Sequence, residues 1–144
     1  MTDAARRILL AILVLGVLGI TVELLLLGHD EDLTQLIPLG LSAATLIAGV
    51  LVSVRPSLAT VRVFQSVMVL MVLSGAVGMF LHFRANIEFQ LEMDPALAGL
   101  ALFRKAILAK APPALAPGAM TQLGLIGLAY TFKHPAVAPR SGAG

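Results

Sequence analysis

The sequence predicts an all-α integral membrane protein, a bundle of four transmembrane helices. Three observations carry that prediction. Of 144 residues, 58% are hydrophobic and 12% are charged, against roughly 25% charged in an ordinary soluble domain. The mean hydropathy is +0.95. Apolar runs long enough to cross about 30 Å of hydrocarbon, which takes roughly 20 helical residues, recur four times, at Ile8–Gly28, Leu36–Val54, Val63–Phe83 and Ala114–Phe132. Helices are the expected spanning form, because barrel strands are shorter and alternate in polarity. Together the runs make one domain over residues 1–144, with 134–144 expected as a loose tail rich in Pro, Ala and Gly.

The first run follows Arg6-Arg7 and lacks a small-residue cleavage site, so it reads as a signal anchor that stays in the chain. A short acidic connection, His29-Asp30-Glu31-Asp32, joins it to the second run as a tight hairpin. Asp32 stands where an N-cap is expected, with Gln35 three residues on. Pro38 follows early in that helix, where its missing N–H costs little if the helix starts at Thr34 and kinks the helix if it starts sooner.

The third run leads into a long connection. Asn86–Asp94 alternates Ile87, Phe89, Leu91 and Met93 with Glu88, Gln90, Glu92 and Asp94. That period of two predicts an extended segment over 86–94. Asp94-Pro95 then has the form of an N-cap and first helical residue. The stretch 95–110 places Leu97, Leu100, Phe103, Ile107 and Leu108 on one face and Arg104, Lys105 and Lys110 near its end, as in an interfacial amphipathic helix.

Charge sets the orientation. Arg6, Arg7, Arg55, Arg62, Lys133 and Arg140 fall on one side of the four runs, which the positive-inside rule makes cytoplasmic for both termini. Arg84, Arg104, Lys105 and Lys110 fall on the other side. All acidic residues except Asp3 collect there too. The expected location is a bacterial cytoplasmic membrane. The basic balance therefore serves topology, and no nucleic acid is expected as a partner. With no cysteine, thiolate nucleophiles, zinc–thiolate sites and iron–sulfur clusters are excluded.

An ionisable side chain within a span is a functional candidate, because lipid penalises it unless a partner compensates. Glu23 and His82 qualify. Gly16, Gly19 and Glu23 share one helix face, as do Gly75, Gly78 and His82, and small residues line helix contacts in membranes. Both side chains are therefore expected to point inward. Gln35, Pro38, Ser42, Thr45 and Gly49 form a similar stripe. Glu23, His82, Glu88 and Glu92, with His29 as a further donor, compose a mixed nitrogen and oxygen set suited to zinc, manganese or iron. The bland alternatives are a polar packing contact between Glu23 and His82, solvated turn residues at Asp30–Asp32, and core filling by Met68, Met71 and Met79 in place of thioether ligation.

Four spans with one carboxylate in the first resemble the small multidrug resistance transporters in layout. The chain departs from them in holding Glu23 near a helix end, in its long third connection and in lacking tryptophan. The expected role is non-enzymatic: binding a cation or a partner subunit at an outward carboxylate/His site, within a homo-oligomer or larger membrane complex. A proton- or cation-coupled transporter and a membrane metalloenzyme are the alternatives. Against the transporter stands the plain Leu, Val and Ile of the inner half.

Overall fold

The computed structural model describes residues 1–29, 33–109 and 115–137. They form five α-helices and one 3-10 turn: α1 (Asp3–Leu26), α2 (Leu33–Val54), α3 (Leu58–Met93), α4 (Gly99–Ile107), α5 (Leu115–Tyr130) and the turn Pro135–Val137. The fold is helical, and α1, α2 and α3 are each long and apolar enough to cross a bilayer. Among the described residues α5 covers 16, and the sequence-predicted start at Ala114 lies outside them.

Local chemistry explains the helix ends. The Thr2 hydroxyl accepts from Ala5 N at 3.3 Å and opens α1. Gly28, at φ +65°, closes it: Gly28 N donates to Leu25 O and His29 N to Leu24 O, the paired bonds of a Schellman cap. Ser57 and Thr60 begin α3 with a reciprocal capping box, at 3.1 and 2.9 Å. Asp32, the expected cap of α2, lies outside the described residues. Pro38 sits inside α2, because that helix already runs from Leu33.

Packing follows spacing. Val61, Phe64, Met68, Met71 and Gly75 are buried along α3 at intervals of three and four, the seam of a helix bundle. Leu13, Val17 and Ile20 of α1, Ala48 and Val52 of α2, and Met120 and Leu123 of α5 complete the core. Met68 and Met71 are core residues, and Thr45 Oγ1 lies 3.0 Å from Met71 Sδ. The inner part of the polar stripe on α2 (Ser42, Thr45, Gly49) is buried. Glycine lets α5 approach α3: a Cβ on Gly124 would stand 2.8 Å from Met68 O, and Gly127 leaves room for Met68 itself. Outward, α1 presents Ile8, Ile12, Leu15, Leu18 and Val22 as a continuous lipid-type surface.

The extended segment over 86–94 does not form. Residues 86–93 continue α3, which reaches 36 residues, or about 54 Å at 1.5 Å each. Phe83, Ile87 and Leu91 recur every four residues on the half-buried side, and Arg84 pairs with Glu88 at 2.8 Å one turn on. Extending an existing helix needs no new nucleus, so these contacts outweigh the alternation. Asp94 consequently ends α3 rather than starting a helix at Pro95. Its Oδ1 accepts from Ala96 N at 3.2 Å, and the next helix begins at Gly99, where φ is +54°. The amphipathic helix is thus shorter than 95–110, with Lys110 outside the described residues. It packs on the end of α3: Ala106 is fully buried, Asn86 Nδ2 donates to Ala106 O at 3.1 Å, and Phe83 meets Phe103 edge to face at 5.6 Å.

Candidate functional site

The inward-facing stripes of α1 and α3 hold only in part. Gly16 packs against Leu123, but Gly19 and Glu23 are exposed. The reason is the buried edge of α1, which runs Leu13, Val17, Ile20, Leu24 and leaves position 23 beside it. On α3, Gly75 and Gly78 do receive α5, with Pro117 3.1 Å from where a Gly78 Cβ would stand. His82 lies one turn beyond that cover and is exposed.

Two of the proposed donors do come together. The Schellman turn after α1 carries His29 back towards α3, and the His29 and His82 rings stack with centroids 6.4 Å apart and planes 21° from parallel. Glu88 is engaged by Arg84, and Glu92 is exposed. Among the described residues no three His, Asp or Glu side chains gather closely enough to hold a metal ion. Asp30, Glu31 and Asp32, next to His29, lie outside the described residues.

A second constellation stands at the opposite end of the bundle, and the sequence reading passed over it. Arg6, read as a topology marker, is only 8% exposed. Its guanidinium reaches across to the end of α5, donating to Tyr130 O and Phe132 O at 3.4 Å and to Lys133 O at 2.8 Å. Helix C-termini leave carbonyls without intrahelical partners, and a cation there also complements the macrodipole. His134, read as a tail base, is buried, and its ring lies 6.1 Å from that of Tyr130. Burial, with a smaller contribution from the Arg6 charge, lowers its pKa below the ordinary 6.5 and favours the neutral ring. Of the tail, His134 is buried and Ala136 and Val137 pack against the core, while 138–144 lie outside the described residues. These side chains line an open cleft of about 370 Å³ together with Asp3, Val52 and Ser53. The signal available from sequence was a helix end near Tyr130 in need of a cationic cap, but its supplier stands 124 residues away.

No family model, curated protein or solved structure matches the chain.

Proposed function

We propose that the chain is an accessory subunit of a larger complex in a bacterial cytoplasmic membrane, crossing it four times with α5 as the last span and both termini cytoplasmic. Its outer unit, the end of α3 with α4, is the surface that engages a partner. The length of α3 carries this reading. About 54 Å of unbroken helix exceeds roughly 30 Å of hydrocarbon, so the last turns stand beyond the lipid core. Phe89, Met93, Leu100 and Leu108 are 56 to 73% exposed there, an apolar surface of the kind that marks protein association. The clustering of Arg6, Arg7, Arg55, Arg62 and Lys133 at the other end supports the orientation.

A photoreactive residue in place of Phe89 is expected to give one cross-linked species of discrete added mass in native membranes. The same residue in place of Leu15, on the apolar flank of α1, is expected to label lipid. Lipid labelling alone at Phe89 overturns the docking role, and an adduct of twice the chain mass identifies a second copy as the partner.

The His29–His82 pair favours a second reading, an outward cation site of zinc, manganese or iron type, in which Glu23, Glu88 or Glu92 would join only after rearrangement. Elemental analysis of purified protein is expected to find a transition metal whose content falls at least tenfold in His29→Asn and in His82→Asn. A metal-free wild type removes this reading.

A further inference from the structure

We propose that the cleft where α1 begins and α5 ends holds the phosphate–ammonium headgroup of a zwitterionic phospholipid from the adjacent leaflet. The first ground is an unbalanced charge. Arg6 is nine-tenths buried, yet among the described residues the ion pair formed is Arg84–Glu88, so no carboxylate is in direct contact with its guanidinium. Carbonyl oxygens take up its Nη donors, while Nε is buried without a partner among the described residues. A buried cation kept without a counter-ion is costly, and a phosphate in the adjoining cleft would supply the missing charge at short range.

The second ground is the cleft itself. It is open to the surface, and its volume of about 370 Å³ accommodates a group larger than water. Next to Arg6, His134 Nδ1 accepts from Ala136 N at 3.2 Å, which leaves the ring proton on Nε2 as a further donor for an anion. Asp3 lines the same cleft. A carboxylate beside the site repels a bare phosphate dianion and attracts an ammonium group, so the charge pattern fits a ligand that carries both signs.

The third ground is position. The cleft stands at helix ends, the level of headgroups, and Val54, Leu58 and Phe132 nearby are exposed apolar residues against which acyl chains can lie. Such binding requires only that the helices cross a bilayer, whichever end is cytoplasmic and whether or not a partner meets α4.

The test uses the full chain in a phosphate-free maltoside micelle. The imidazole resonance of His134, identified by its loss in His134→Gln, is followed by NMR against pH during three separate titrations: short-chain phosphatidylethanolamine, short-chain phosphatidylglycerol and inorganic phosphate. Phosphatidylethanolamine is expected to saturate and to raise the His134 pKa by about one unit, because a bound phosphate opposes Arg6. Phosphatidylglycerol, with no ammonium for Asp3, is expected to bind about tenfold more weakly, a preference that Asp3→Asn abolishes. Inorganic phosphate is expected to leave the resonance unmoved. No saturable response to either lipid overturns the proposal and leaves Arg6 as a cap of α5. Equal binding of both lipids by the wild type overturns the zwitterionic assignment, and saturation by inorganic phosphate overturns the lipid as source.

Discussion

Gly75→Leu is expected to detach α5 from α3. A Cβ at this position would stand 2.5 Å from Pro117 O and 2.8 Å from Thr121 N, and both are backbone atoms. A clash with a side-chain tip can be relieved by a rotamer change, but a clash with backbone can be relieved only by moving a helix. Even alanine there should cost about 1–3 kcal/mol as an overpacked contact, and the full leucine side chain removes the seat of Pro117 altogether. Lipid is as apolar as leucine, so close packing is what holds these helices together. Thermal unfolding in micelles should show a large loss for Gly75→Leu and a smaller one for Gly75→Ala. Gly19→Ala is the control, since among the described residues nothing lies within 4 Å of a Cβ there. It should be neutral or stabilising by about 0.5–1 kcal/mol through helix propensity. Equal behaviour of positions 19 and 75 would contradict the close α3–α5 approach.

Arg6→Met is expected to loosen the end of α5 by about 2 kcal/mol. Methionine preserves most of the buried bulk but leaves the carbonyls of Tyr130, Phe132 and Lys133 without their donors. Each orphaned acceptor costs about 1–3 kcal/mol, offset in part by relief from burying the charge. The same change has a signature in pH. The folded state lowers the pKa of His134, so the unfolded chain takes up the proton more readily as pH falls. Stability linked to this ring is therefore complete above its ordinary value of 6.5, is lost below it, and stops falling once the folded pKa is passed. Arg6→Met should reduce that acid-side loss without abolishing it, because burial is the larger cause. Unfolding measured from pH 5 to pH 8 in both proteins checks this, and identical slopes would show that Arg6 and His134 are uncoupled.

Hydropathy located the helical cores well, because lipid imposes a single length scale on every apolar run. Ile8–Gly28 and Leu36–Val54 fall almost entirely within α1 and α2, and Val63–Phe83 lies within α3. Helix ends were less legible. Polar residues such as Asp3, Ser57 and Thr60 belong to helices or caps that no apolar window detects. At 86–93 two periodicities coincided: Glu88 and Glu92 alternate with apolar neighbours and are also i, i+4, and tertiary contact with α4 decides between them. Glu23 and His82 lie on the expected helices, yet Glu23 is exposed because Leu24 enters the core in its place, and His82 because the cover of α5 ends one turn before it. The grouping of Arg6 with His134 was illegible, since nothing local to either residue names the other.

The unbroken course of α3 makes it a ruler as well as a span. Its last turns cannot swing independently of Phe64 and Met68, which are fully buried in the bundle on the same rod. Whatever meets Phe89 or Met93 meets it at a fixed elevation above the bundle, some 30 Å or more along the axis from Met68. A thicker or thinner bilayer would shift that elevation relative to the lipid surface, while the spacing between the buried seam and the tip stays constant.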